Sequence, residues 1–124
     1  TVSRDGQTGG LGTISGSPFT YTGTASTLYY NSNGFGNAST NDTEFPAVNG
    51  PANLQVFLVE GGTHGVVTLH SSRTIPGALT LEYGRIVTGN NTLTIAPGGT
   101  VQRDGVNYEK SFESNGPRPH PIGR

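Results

Sequence analysis

Glycine and proline interrupt this chain so often that long helices are excluded. Twenty glycines and eight prolines are spread over 124 residues. The longest stretches free of both, among them 24–33 and 106–115, are about ten residues long and consist mainly of β-branched, aromatic and polar residues. Such residues favour strand over helix. The chain is therefore expected to fold from short strands and turns.

Short strand signals recur at nearly equal distances in the second half of the chain. Apolar–polar–apolar triplets begin at Leu54, Val67, Leu79 and Leu93. Each triplet has the period of two that is typical of a strand with one buried face. Glycine, proline and asparagine lie between the triplets, where they are suited to turns.

Two architectures fit this spacing. One is an antiparallel β-sandwich completed by a donated terminal strand. The other is a β-solenoid, a parallel β-helix-like stack of coils, and a longer repeat favours it. The shift that superposes Leu54 on Leu79 also superposes Val56 on Leu81. A slightly longer shift superposes a second set, Val67, Leu69, Thr74 and Ile75, on Leu93, Ile95, Thr100 and Val101. We predict an all-β solenoid with coils of about 25 residues, and the sandwich is the alternative.

The first six residues nearly repeat a later hexapeptide. Thr-Val-Ser-Arg-Asp-Gly at 1–6 matches Thr-Val-Gln-Arg-Asp-Gly at 100–105 in five of six positions. Asp-Gly suits the turn that follows a strand. We interpret the two as equivalent positions in successive units of an array, which assemble end to end or by strand donation. The predicted assembly residues are Val2, Arg4, Asp5, Val101, Arg103 and Asp104.

The pattern predicts one all-β domain over residues 1–115. Residues 1–16 are rich in glycine and read as an arm of this domain. The segment 116–124 contains three prolines and is predicted to be an extended tail.

Composition excludes several classes of function. The formal net charge is −1 and charged residues make up only 12% of the chain, so we expect no nucleic-acid partner. No apolar run approaches the ~18 residues of a membrane span. Cysteine is absent, which excludes disulfides and thiol chemistry.

No motif for catalysis, metal binding or a cofactor is found. The histidines His64, His70 and His120 lack the spacing of metal ligands, and no nucleophile elbow or phosphate loop is present. Glu60 and Glu82 are the carboxylates that a small hydrolase or lyase would use, although surface groups beside turns are the simpler interpretation. We predict that the chain is not an enzyme and holds no metal or cofactor.

A polar passage around residues 31–50 contains the candidates for ligand binding. Tyr29 and Tyr30 are adjacent, so on a strand one side chain points inward and the other outward. An exposed tyrosine can stack on a sugar, and amide or carboxylate oxygens nearby can bind its hydroxyls. The predicted ligand residues are Tyr29, Tyr30, Asn31, Asn41 and Asp42. A carbohydrate-binding module is therefore the alternative function, and a calcium site in this loop has no motif to support it.

Residues 27–101 also resemble a known class of protein. The resemblance is carried by TLYYNS, EFPAVNGPANLQV and GVVTLHSSRTIPGALTLEYGRIVTGNNTLTIAPGGTV, followed later by HPIGR. These segments are similar to repeats of large secreted, solenoid-like cell-surface proteins of Bacteroidetes-type bacteria, which are exported by the type IX route. The resemblance implies an extracellular location and a structural or adhesive role, and it carries over no catalytic residue. We therefore predict a unit of a surface filament or stalk, with copies of itself, or a glycan, as partners.

Overall fold

The computed structural model describes residues 1–6, 16–34, 36–103 and 112–113, with the backbone alone at 4–6 and 112–113. Within these ranges the chain forms twelve strands and no helix. The strands are β1 (Val2–Gly6), β2 (Thr27–Gly34), β3 (Asn37–Ser39), β4 (Asn53–Glu60), β5 (Thr63–His64), β6 (Val66–Thr68), β7 (Arg73–Ile75), β8 (Ala78–Tyr83), β9 (Arg85–Val87), β10 (Leu93–Ile95), β11 (Thr100–Arg103) and β12 (Phe112–Glu113). No helix of the described ranges has the length and apolar character needed to cross a membrane.

The strands form three sheets that run along a common axis. The long sheet has the order β1-β2-β4-β8-β11, with β5 paired to β4. The second sheet has the order β3-β6-β9-β12, and the third sheet pairs β7 with β10. Every pairing is parallel except the β4–β5 hairpin. The chain thus returns to the same sheets in the same direction, which confirms the β-solenoid and rules out the antiparallel sandwich.

One column of apolar residues in the long sheet forms the centre of the core. Val2, Leu28, Leu54, Leu79 and Val101 pair in register, one from each strand. The three leucines are at most 2% exposed, whereas the two valines at the ends are only partly buried. Each coil therefore covers the apolar face of its neighbour, and the first and last coils are covered from one side only.

The predicted repeat holds in the long sheet and fails in the other two. Leu54 pairs with Leu79, as the first of the two shifts requires. The second, longer shift is wrong, because Val67 pairs with Ile86 and Thr74 with Thr94.

The second shift fails because one coil contains an insertion. The hairpin formed by β4 and β5 leaves the coil at Leu58 and returns at Gly65, whose N–H donates to the Leu58 carbonyl at 2.9 Å. In the next coil the single residue Gly84 lies against both of them, since a side chain there would meet Leu58 and Gly65 atoms at 3.0–3.2 Å. The extra residues shift the alignment of all later strands.

The polar passage holds more strand than its sequence suggests. β2 continues through Gly34 with Leu28, Tyr30 and Ser32 buried, and β3 follows at Asn37–Ser39. The polar character of Ser32 and its neighbours conceals the period of two. Most of the predicted arm (7–15) and the whole predicted tail (116–124) lie outside the described residues.

Candidate functional site

The described parts of the two matching hexapeptides, residues 1–6 and 100–103, lie at opposite edges of the long sheet. Val2 pairs with Leu28 at one edge, and Val101 pairs with Leu79 at the other. Because Leu28 and Leu79 both align with Leu54, Val2 and Val101 occupy the same position along the strands of this sheet. Among the other predicted assembly residues, Arg4 and Asp5 are described by their backbone, and Asp104 lies outside the described residues.

The alternation of backbone groups along a strand determines which residues of the two edge strands point their N–H and carbonyl groups away from the sheet. The Thr100 N–H donates to the Gly77 carbonyl at 2.9 Å, which points it toward β8. Backbone groups of successive residues point to opposite sides of a parallel strand. The Val101 N–H and carbonyl therefore point away from β8, to the outer side of β11.

The same rule applies at the first strand. The Asn53 N–H donates to the Ser26 carbonyl at 2.9 Å, toward the preceding coil. Ser3 occupies the position equivalent to Gln55, two residues after Asn53, so its backbone groups point to the outer side of β1. The two edges are thus complementary halves of one parallel ladder.

Tyr30 does not present its ring to a ligand. Its side chain is fully buried, and its hydroxyl donates to the Glu44 carboxylate. The Tyr21 hydroxyl donates to the Glu44 carbonyl at 2.5 Å, and burial, followed by the charge of Glu44, raises the pKa of Tyr21. The proposed ligand role of Tyr30 is wrong because strand β2 directs Tyr30 into the core. The Asn41 side-chain oxygen accepts the N–H of Glu44 at 3.2 Å and holds the local turn.

Asp42 is part of a charged cluster that links two coils. Its Oδ1 atom lies 2.6 Å from Nη2 of Arg73 and 2.7 Å from Nε2 of His70, although the side chain is 75% exposed. On the other side of the ring, Nδ1 of His70 lies 2.6 Å from Oγ1 of Thr40. The hydrogen bond with His70, followed by the charges of His70 and Arg73, lowers the pKa of Asp42.

This cluster neutralises a cation at an inward position. Arg73 is only 8% exposed, its Nε donates to the Phe45 carbonyl at 2.8 Å, and its guanidinium lies 5.8 Å from the centre of the Phe45 ring. A buried guanidinium requires such partners. In the part of the chain that the structure describes, no three His, Asp or Glu side chains are placed to hold a metal ion. The carboxylate of Asp42 therefore has a structural partner within the chain.

An aromatic patch covers part of the outer face of the long sheet. We define it as Tyr29, Gln55, Phe57, His64, Glu82 and Tyr83. Oε1 of Glu82 accepts hydrogen bonds from the Tyr29 hydroxyl at 3.1 Å and from Nε2 of Gln55 at 2.8 Å. The Tyr83 ring stacks on His64 with centroids 4.1 Å apart and lies 6.4 Å from Phe57.

Strand alternation and one bulge create this patch. Leu54, Val56 and Leu58 point inward, which turns Gln55 and Phe57 outward. The register of β4 and β8 shifts after Val56, so that Phe57 pairs with Tyr83. Of the two adjacent tyrosines, Tyr29 is the one that points outward, and Asn31 pairs with Phe57.

Comparisons with protein-family models, curated proteins and solved structures find no match for this chain. Of the two carboxylates considered for hydrolysis, Glu82 lies in the aromatic patch and Glu60 accepts the Gly36 N–H at 2.8 Å.

Proposed function

We propose that this chain is a structural unit that assembles end to end into an extracellular filament or stalk. The observation that carries the proposal is the placement of two matching segments, residues 2–4 and 101–103, in the same register at opposite edges of the long sheet. In such an assembly, β11 of one copy pairs with β1 of the next copy as a parallel neighbour. Val101 then lies opposite Val2, and the column of apolar residues continues across the junction.

Hydrogen bonding and burial both support the pairing. The outward N–H and carbonyl of Val101 have the spacing of a parallel ladder with β1 of the next copy. Both valines are only partly buried at the ends of the core. The junction buries their remaining apolar surface, at about 25 cal/mol for each Å² removed from water.

One pair of like-charged residues destabilises the junction. Arg4 is level with Tyr30 and Arg103 is level with Leu81, so the same register sets Arg103 opposite Arg4. Like charges in directly opposite positions of neighbouring strands are destabilising. We therefore expect reversible association that strengthens as ionic strength rises.

The extracellular location and the structural or adhesive role are supported by the resemblance to secreted surface repeats. They are also compatible with a chain that has few charges and no cysteine. A solenoid suits this role because each coil needs contact only with its neighbours, and the stack extends without a new core.

The test compares the wild-type chain with Val101→Pro by sedimentation velocity and negative-stain electron microscopy over a range of concentrations. Proline removes the N–H that points to the outer side of β11 and is tolerated on an edge strand. We expect linear assemblies for the wild type and for Thr94→Ala, which alters an exposed position of the third sheet. We expect single particles for Val101→Pro, with an unchanged circular dichroism spectrum. Single particles for the wild type at all concentrations and salt conditions would contradict the proposal.

A further inference from the structure

We infer that the aromatic patch is a binding site for a neutral oligosaccharide with flat apolar ring faces. The patch lies on the outer face of the long sheet, away from its two edges. The inference therefore does not depend on the proposed assembly, and either idea can fail without the other.

The side chains of the patch differ from those on the other outer faces. Outward positions of the second sheet carry Asn37, Ser39, Val66, Thr68, Arg85 and Val87, and those of the third sheet carry Thr74 and Thr94, none of which is aromatic. Within the described ranges, aromatic side chains in outward strand positions are concentrated on the long sheet. The solenoid core does not need them, because the inward positions already bury the leucines and valines.

The aromatic rings provide a platform for the apolar face of a sugar. Tyr83 and His64 stack face to face with an angle of 12° between their planes, so each ring covers one face of the other, and Phe57 lies beside Tyr83 at 47°. The outer faces of these rings are the surface on which a sugar packs. All three side chains are partly exposed. The C–H face of a pyranose packs on such rings in the way that other apolar groups do. A β-linked glucan chain, whose ring substituents are equatorial, presents this flat face at each residue.

Hydrogen bonding at the patch selects hydroxyl groups. The donors of Tyr29 and Gln55 both reach Oε1 of Glu82 and fix the orientation of its carboxylate. No described residue bonds Oε2, so this oxygen is placed to accept a sugar hydroxyl. Small-molecule sites combine an apolar surface with a few oriented polar groups in this way.

The charge of the patch argues against acidic sugars. Glu82 is its only acidic residue and lies between Tyr29 and the aromatic rings. A uronic acid carboxylate at this position would be repelled by Glu82. We therefore expect neutral chains to bind in preference to anionic chains of similar length.

Isothermal titration calorimetry tests the inference with cellohexaose, laminarihexaose and mannohexaose as neutral probes and hexagalacturonate as the anionic comparison. We expect the wild type to bind at least one neutral probe, with cellohexaose the tightest, and to bind hexagalacturonate more weakly. Tyr83→Ala should weaken binding by about tenfold or more, because it removes a stacking surface. Glu82→Gln should weaken it by about fivefold, because a charged acceptor makes the stronger hydrogen bond.

Thr74→Ala is the matched control, since it changes an outward residue of a different sheet, and it should leave the affinity unchanged. Thermal unfolding of each variant verifies that the fold is retained. Absence of binding to all three neutral probes, tighter binding of hexagalacturonate, or undiminished binding by a folded Tyr83→Ala variant would each overturn the inference.

Discussion

Gly65 provides a sharp test of how closely the coils are stacked. A Cβ atom at this position would overlap the Gly36 carbonyl oxygen and lie 2.8 Å from the Cβ atom of Leu58. The same Gly36 carbonyl accepts the Val66 N–H at 3.1 Å, which joins two coils. In Gly65→Ala the added methyl group must therefore push a neighbouring coil away and lengthen this hydrogen bond.

The size of the effect follows from three contributions. Overpacking of a tight interior costs typically about 1–3 kcal/mol. Weakening of one hydrogen bond adds up to about 1 kcal/mol. Alanine reduces the conformational entropy of the unfolded chain, which returns about 0.4–1 kcal/mol. We expect Gly65→Ala to lower the free energy of unfolding by about 2 kcal/mol, a sizeable part of the roughly 5–15 kcal/mol of a typical domain.

Gly62→Ala is the matched control. Gly62 has a φ of +84° and no atom within 4 Å of an added Cβ, so only the strained backbone conformation opposes alanine. This strain is about 1–2 kcal/mol, and the entropy term reduces the net cost to about 1 kcal/mol or less. Urea unfolding followed by far-ultraviolet circular dichroism measures both variants, and an unchanged m value validates the comparison. If Gly62→Ala proved as costly as Gly65→Ala, the close stacking of the coils at Gly65 would be refuted.

Three further predictions concern charges. Arg103→Glu sets opposite charges against Arg4, so end-to-end association should tighten roughly fivefold, about 1 kcal/mol, and Arg4→Glu in the same chain should cancel the gain in sedimentation equilibrium. The pKa of Asp42 is lowered from 3.8, so its contribution to stability is present above that pH and lost as the pH falls through the folded-state pKa. In Asp42→Asn the melting temperature should therefore fall less steeply at acidic pH than in the wild type. The pKa of Tyr21 is raised from 10.0, so its contribution to stability is present below that pH and lost as the pH rises through the folded-state pKa. In Tyr21→Phe the melting temperature should therefore fall less steeply at alkaline pH than in the wild type.

The core of the long sheet could be predicted from the sequence because its signal is local. Leu54 and Val56, like Leu79 and Leu81, alternate with polar residues, and a parallel stack places such pairs in register. The β4–β5 hairpin could not be predicted in this way. Gly61 and Gly62 indicate a turn, but nothing local shows that the chain returns to its coil at Gly65.

The contacts of the loop around Asp42 were also beyond a sequence argument. His70 and Arg73 lie 28 and 31 residues further along the chain, and their meeting with Asp42 depends on how two coils are aligned. The aromatic patch is an intermediate case. The outward position of Phe57 follows from the alternation in β4, whereas its pairing with Tyr83 depends on a bulge that no sequence pattern marks.

Disulfide trapping tests the proposed junction most directly, since the chain has no cysteine of its own. Ser3 and Gln102 are exposed, and in the proposed register they lie opposite each other on neighbouring strands. Such strands are about 4.8 Å apart, within the Cα separation of a disulfide. The control pairs Ser3→Cys with Thr100→Cys, which is displaced by two residues, about 6.6 Å along the strand.

The measurement is the rate of heterodimer formation when two single-cysteine variants are mixed under mild oxidation. The proposed assembly predicts that Ser3→Cys and Gln102→Cys form a disulfide-linked heterodimer rapidly, at a rate that rises with protein concentration and exceeds that of the control pair. Equal rates for the two pairs, or no heterodimer from either, would contradict end-to-end pairing of β11 with β1.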